Sequence, residues 1–184
     1  MLQEKYKKEI VPILMEKLSY KNPMAVPKLE KIVVNSGIGK ILGEVEPAKR
    51  QEMLDHFAWE ISLITGQKPK VTLAKKSISG FGVKKGMPVG LAVTLRGKRM
   101  YHFLERLINY ALPRKRDFKG ISKNSVDRNG NLTIGFKEHL VFPEIKPEET
   151  KRIIGLEVTL CPKAKSRQEA ILLYELLGIP FKKE

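Results

Sequence analysis

Apolar residues recur along the chain at two spacings, and each change of spacing marks a new element. Leu2, Tyr6, Ile10, Ile13, Leu14 and Leu18 share one helical face, so residues 2–18 are predicted as an amphipathic helix. Pro12 lies inside it and is expected to kink it. Asn22-Pro23 breaks the chain, and residues 28–35 then read as a β-branched strand ended by Gly37 and Gly39. Glu46-Pro47 opens a second helix. Its apolar face is Leu54, Phe57, Ala58, Ile61 and Ile64, and Gly66 suits its C-terminal cap. Residues 70–73 form a short strand. Val89, Leu91, Val93 and Leu95 alternate with Pro88, Gly90, Ala92 and Thr94, which predicts a half-buried strand. The small, polar face of that strand leaves room for another backbone to approach. Met100, Phe103, Leu104, Leu107, Ile108 and Ala111 mark a third helix, stopped by Pro113. Leu132, Ile134, Phe136, Leu140 and Phe142 predict a long strand interrupted at Glu138. Ile154, Leu156, Val158 and Leu160 predict another. Ser166 and Glu169 form a capping box that opens a last helix, closed by Gly178.

The order is α-β-α-β-β-α-β-β-α. Its middle, β-α-β-β-α-β, is the split βαβ, ferredoxin-like arrangement shared with RNA-recognition-motif domains. The expected class is α+β: a mainly antiparallel sheet with helices on one face, plus an added N-terminal helix, an extra strand and a C-terminal helix. No repeat, linker or low-complexity tract divides residues 1–184, so a single domain is expected.

Charge changes the picture. The chain of 184 residues is 42% hydrophobic, enough for a sizeable core, yet its net charge is +15. Such an excess favours anionic partners, RNA above all. Residues 61–104 hold no acidic side chain and nine Lys or Arg. Within them lies a long basic loop at residues 74–86, with Lys75, Lys76, Lys84 and Lys85 flanking Ser77, Ser79 and Phe81. Lysines supply charge, serines and amides supply hydrogen bonds, and Phe81 supplies a stacking face. Gly80, Gly82 and Gly86 allow positive φ and close approach. A second basic loop spans residues 113–130. No apolar run spans a membrane, the N-terminus lacks a secretory apolar segment, and Cys161 has no partner for an intrachain disulfide, so a cytoplasmic protein is expected.

Catalysis finds little support. His56, His102 and His139 fall in three different elements, without the spacing of metal ligands. Gly37-Ile38-Gly39 lacks the third glycine of a dinucleotide fingerprint, and Ala92 stands where a phosphate-binding P-loop ending at Gly97-Lys98 needs glycine. There is no Gly-x-Ser-x-Gly elbow. Ser79-Gly80-Phe81-Gly82-Val83 is similar to the RNP1 core, but Lys84-Lys85-Gly86 follow it, which suits a loop rather than a strand. No catalytic residue, metal or cofactor is expected.

Seven blocks resemble one family. They are Val26–Asn35, Leu63–Pro69, Ala74–Phe81, Lys85–Gly90, Val93–Met100, Leu112–Gly120 and Phe142–Ile145. Together they look like the L five family of bacterial large-subunit ribosomal proteins, and the likeness runs on to Leu177-Gly178-Ile179-Pro180-Phe181. The resemblance implies a structural, non-catalytic protein that binds 5S ribosomal RNA in the central protuberance. It implies 5S contacts at Lys31, Asn35, Gln67, Phe81 and Thr94. It also implies that the loop bearing Lys75, Lys76, Ser77, Ser79, Lys84 and Lys85 touches peptidyl-site tRNA. An intersubunit bridge to the small-subunit head protein S thirteen is implied as well. Partners then include 23S ribosomal RNA and other proteins of the protuberance. Arg96, Arg99, Arg114 and Arg116 are expected to add RNA-backbone contacts. The less basic edge from Gly135 to Glu149, with Glu144, Glu148 and Glu149, is expected to face the bridge partner, itself basic.

The chain departs from the family pattern at three places. Leu73 replaces an arginine at the base of the loop. Val126-Asp127-Arg128-Asn129-Gly130-Asn131-Leu132 replaces Phe-Asp-Gly-Arg-Gly-Asn-Tyr. Ile153-Ile154-Gly155-Leu156-Glu157 stands where Arg-Gly-Met-Asp is usual. Two other readings stand beside the ribosomal one. One is a free-standing regulatory RNA-binding protein on an RNA-recognition-motif-like sheet. The other is a small enzyme acting on a phosphorylated substrate in the basic loop, for which residues 61–104 offer only His102.

Overall fold

The N-terminal amphipathic stretch folds as one continuous helix, α1, over residues 2–18. The computed structural model describes residues 2–116 and 118–182, and at Phe81 the backbone alone. Helix α1 is α-helical over Leu2–Lys5 and Val11–Leu18, with a π-turn, Tyr6–Ile10, between them. The Val11 N–H reaches back five residues to the Tyr6 carbonyl. That wider turn absorbs Pro12, which has no N–H to give and whose ring crowds the carbonyl four residues earlier. The kink expected at Pro12 is therefore a π-turn. A π-turn also precedes Pro113, and that helix ends one residue beyond it, close to the stop expected from the sequence. Gly97–Arg106 passes through a π-turn, Leu107–Ala111, and continues as Leu112–Arg114, so the element runs over residues 97–114.

Five strands form one sheet: β1 (Lys28–Gly37), β2 (Lys70–Leu73), β3 (Pro88–Leu95), β4 (Leu132–Phe136) and β5 (Leu156–Lys163). Their order is β2-β3-β1-β5-β4, and the class is α+β with an antiparallel sheet. In a plain split βαβ the fourth strand lies against the first; here β5 occupies that place and displaces β4 to the edge. The residues group into two compact units. One comprises the chain up to Ile32, Leu95–Ile134 and the chain from Val158; the other comprises Val33–Thr94 and Gly135–Glu157. The division passes through β1, β3, β4 and β5.

The first unit buries Ile10, Leu14, Phe103, Leu104, Leu160 and Leu173. Tyr6 donates its hydroxyl to the Pro27 carbonyl at 2.9 Å, and burial, with Tyr101 beside it, pushes its phenol up to about 12. The last helix, Arg167–Leu177, starts at Ser166, whose hydroxyl accepts from the Glu169 N–H. The Glu169 carboxylate caps the Lys165 N–H at 3.0 Å instead of the Ser166 N–H, so the expected capping box is shifted by one residue. Tyr174 on this helix is wholly buried, and its hydroxyl lies 2.8 Å from the Gly130 carbonyl and 3.0 Å from that of Leu160. Replacing Tyr174 by Phe strands both carbonyls in the core. Denaturant titration should show a loss of about 1–3 kcal/mol, without a change in the slope of the transition.

The second unit is built around the helix Arg50–Thr65, here called the central helix. It buries Leu54, Phe57, Ile61 and Ile64, the face expected from the sequence. Gly66 ends it at φ +69, donating its N–H to the Ser62 carbonyl. A short helix, Gly39–Glu44, has no counterpart among the elements expected from the sequence. The β4 strand ends at Phe136, six residues before the predicted end. The alternation of Phe136, Leu140 and Phe142 imitates a strand, but His139–Val141 is a 3-10 turn that folds Phe142 back onto Phe136, with ring centroids 5.7 Å apart. The β5 strand starts at Leu156 rather than Ile154 and extends past Leu160 to Lys163.

Candidate nucleic-acid interface

The basic loop grows out of the β2–β3 hairpin. The two strands pair antiparallel, Lys70 with Ala92, Val71 with Leu91 and Thr72 with Gly90, and the register shifts at Leu73. Such an irregularity re-aims the chain beyond it. Ala74 and Met87 then close a second rung, through the Ala74 N–H to the Met87 carbonyl and the Gly86 N–H to the Ala74 carbonyl. Ile78 and Val83 exchange N–H···O bonds further out, and Ser79–Phe81 makes a 3-10 turn at the tip. Of the three glycines, Gly82 and Gly86 take positive φ, at +62° and +86°, and Gly80 does not. Ser77 braces the interior of the loop, its hydroxyl accepting the Lys85 N–H at 2.9 Å. Lys75, Lys76, Ser79, Lys84 and Lys85 are exposed. The side chain of Phe81 lies outside the described residues.

The strand positions are partly assembled. Thr94 is exposed on β3, and its carbonyl accepts from the Gln67 side-chain amide at 3.3 Å. The two residues, 27 apart in sequence, thus form one polar patch at the end of the central helix. Asn35 is exposed on β1 in the same unit. The room expected on the small face of β3 is not all open. A Cβ at Gly90 would meet the Thr72 hydroxyl at 2.8 Å and the Ser36 carbonyl at 3.0 Å. The space a side chain at Gly90 would take is therefore filled by neighbouring strands, and on this face Thr94 is the exposed position, with Pro88 and Ala92 half-buried. In the first unit Lys31 is half-buried, whereas Arg96, Arg99, Arg114 and Arg116 are exposed. Arg96 lies 3.4 Å from the Glu30 carboxylate, a solvent-exposed pair that leaves its charge largely available.

The acidic connector belongs to the second unit. Glu138 and Glu148 are exposed, Glu144 is half-buried, and Glu149 accepts a hydrogen bond from Lys146 at 2.8 Å. Two cations further on are tied down: Lys151 bonds to Glu52, and Arg152 bonds to Glu44 at 2.9 Å.

Two histidines that sequence spacing keeps apart meet at one carboxylate. Glu60 is buried, and its Oε1 lies 3.4 Å from Nε2 of both His56 and His139. The helical spacing of His56 and Glu60 is a signal for half of this cluster. His139 Nδ1 accepts the Ile154 N–H, so its proton sits on Nε2 and points at Glu60. Neither imidazole Nε2 makes a hydrogen bond at this distance, and the bond that ties down the His139–Val141 turn is the one from the Ile154 N–H to Nδ1. Among the described residues, no group of three or more His, Cys, Asp or Glu could hold a metal, and no helix is long and apolar enough to cross a membrane.

Residues 22–84 match the family model of ribosomal protein L5, and residues 88–181 match the model of that ribosomal family's C-terminus. A large ribosomal subunit protein uL5 of Dictyoglomus turgidum is 54% identical over 185 residues, covering 99% of this chain and 98% of the relative. That of Thermotoga maritima is 52% identical over 182 residues, covering 99% and 96%. The chain belongs to the ribosomal protein L5 family. It is a structural component of the large ribosomal subunit, not an enzyme, and works within a ribonucleoprotein.

Two departures from the L5 pattern now have a physical reading. Val126 and Leu132 stand where the aromatic residues are usual, and both are buried and joined by a β-bridge. An aliphatic pair therefore anchors this loop from inside. Asp127 keeps its place: partial desolvation pushes its carboxyl up, but hydrogen bonds from Asn131 and nearby amides outweigh that and hold it below the ordinary value. Leu73, in place of the usual L5 arginine, is 57% exposed. It puts an apolar side chain, rather than a cation, at this one position of the loop base.

Proposed function

We propose that this L5-family chain binds 5S ribosomal RNA through the polar patch of Gln67 and Thr94, with Asn35 and Phe81 of the same unit, and that Lys31 of the first unit makes its own contact with the RNA. The Gln67–Thr94 hydrogen bond carries this reading, because it ties the half-buried Gln67, in the turn that ends the central helix, to the backbone of β3 beside the exposed Thr94 side chain. A patch of this kind can pair with base edges or 2′-hydroxyls, while Arg96, Arg99, Arg114 and Arg116 neutralise phosphates. The loop carrying Lys75, Lys76, Lys84 and Lys85 is the surface for peptidyl-site tRNA. The protein then works in the cytoplasm, in the central protuberance, beside 23S RNA and neighbouring ribosomal proteins.

The test is the affinity of the isolated protein for 5S RNA. Thr94→Val and Gln67→Ala each remove hydrogen-bonding groups and leave RNA groups unpaired. Each should cost about 1–3 kcal/mol, roughly ten- to a hundredfold in affinity. Unaltered binding in both variants would move the 5S site elsewhere.

The connector carrying Glu144, Glu148 and Glu149 is the surface for the small-subunit head protein S thirteen. Its glutamates meet a basic partner, and rim charges of this kind set encounter rate and register. Reversing all three to lysine should weaken subunit association and spare 5S binding. A fall in 5S affinity instead would assign this edge to RNA.

A further inference from the structure

The central helix carries a tryptophan that its core does not use. Trp59 lies off the buried stripe of Leu54, Phe57, Ile61 and Ile64, and it is 46% exposed. Leu63, one turn on, is 38% exposed. The indole lines a groove of about 580 Å³ with Asp55, Ala58, Ser62, Gln67 and Lys68. His56 stands beside it, with ring centroids 5.8 Å apart, and braces one side of the indole. The groove therefore runs from a braced aromatic face to the Gln67 amide and the exposed Lys68, with exposed Lys70 two residues further along the chain.

We infer that Trp59 is a stacking platform for an unpaired nucleotide of ribosomal RNA, seated in the groove between Trp59 and Lys68. This deepens the RNA-binding reading above and rests on it, since Gln67 belongs to both surfaces. Three chemistries that single-stranded RNA needs stand together here: a flat π face, an amide able to meet a base edge, and cations for the adjoining phosphates. Charge complementarity favours RNA over a protein partner. The Lys68 end of the groove is supplied by residues 61–104, a tract with nine Lys or Arg and no acidic residue. The nearest carboxylate, Asp55, lies at the other end and accepts from Gln51. A protein hot spot is typically a closed, desolvated pocket for an aliphatic or aromatic anchor. Here the indole is half-exposed, and its neighbours Ala58, Ser62 and Asp55 are small or polar.

Trp59 is the only tryptophan of the chain, so its emission reports this groove alone. The full-length protein is titrated with 5S RNA and, separately, with a single-stranded oligoadenylate. The expected result is at least twofold quenching at saturation by one or both, and an RNA affinity about tenfold weaker in Trp59→Ala but near wild type in Trp59→Phe. If 5S RNA does not bind but oligoadenylate quenches Trp59, the stacking site stands and the 5S reading falls. If 5S RNA binds with unchanged emission and Trp59→Ala binds as well as wild type, the stacking site is overturned and the 5S reading survives. Oxidative footprinting of Trp59 in reconstituted large subunits adds the remaining outcome. Protection there, without quenching by either RNA, assigns the groove to a protein neighbour and overturns the inference.

Discussion

Raising monovalent salt from 50 to 200 mM should weaken binding of the isolated protein to 5S RNA by roughly a few hundredfold. Each phosphate neutralised by a cation releases counterions and contributes about −0.7 to −0.9 to the slope of log affinity against log salt. Seven exposed or half-buried cations lie within a few residues of the proposed 5S positions Lys31, Gln67 and Thr94: Lys28, Lys31 itself, Lys68, Lys70, Arg96, Lys98 and Arg99. Phosphate contacts by about five of them give a slope of about −4. The acid-free tract matters as much as the cations, because no carboxylate within residues 61–104 competes with phosphate for these side chains. Arg96 is the exception, since it must leave Glu30, but an exposed pair of this kind costs little to break. A slope near zero over this range would mean that the +15 charge serves some other purpose.

Replacing Lys75, Lys76, Lys84 and Lys85 together by alanine should leave 5S binding and subunit assembly nearly intact. Release of peptidyl-site tRNA from ribosomes carrying the variant should be about tenfold faster or more, with a shallower salt dependence of about 1 unit of slope per lysine in contact. The reason lies in how the loop is built. Its rungs at Ala74–Met87 and Ile78–Val83 are backbone hydrogen bonds, and Ser77 braces it through the Lys85 backbone N–H. The four side chains can be removed without removing those bonds, so the variant tests charge rather than folding. An exposed lysine acts as a mobile point charge, whereas Thr94 sits on β3 and the Gln67 side chain is held to its backbone by a hydrogen bond. The two surfaces should therefore separate genetically. The measurement is paired: tRNA dissociation from ribosomes, and 5S affinity of the free protein. Equal damage to both would erase the division of labour.

What the sequence made legible follows from how local each feature is. The helix over residues 2–18, the central helix with its Gly66 cap, and the strands β2 and β3 rest on periodicity and turn chemistry within a few residues, and all are present, though Glu46-Pro47 opens a 3-10 turn and the central helix begins at Arg50. Pro12 and Pro113 fall under the rule that proline breaks or kinks helices. The π-turns that absorb them depend on residues one turn earlier, and nothing in the local pattern distinguishes them from ordinary helix. Alternation through Phe142 imitates a strand because that ring returns to the same core by a turn rather than by extension. The place of β5 beside β1 is a matter of global topology, which local pattern does not encode. Within the site, charge and glycine placement mark the basic loop directly. The approach of Gln67 to Thr94 and the meeting of two histidines at Glu60 need the folded chain. Trp59 does carry a local signal, as a large aromatic off the apolar stripe of its helix, and its partners Gln67 and Lys68 follow the helix-ending Gly66.

The central claim, that an L5-family patch at Gln67 and Thr94 reads 5S RNA, is tested most directly by a nucleotide-resolution protection footprint of 5S RNA with the wild-type protein, Thr94→Val and the four-lysine variant. The expected result is one discrete protected stretch, retained with the four-lysine variant and weakened at matched concentration with Thr94→Val. Protection that survives Thr94→Val but vanishes when the loop lysines are removed would contradict the account, because it would make the loop, and not the strand patch, the 5S-binding surface.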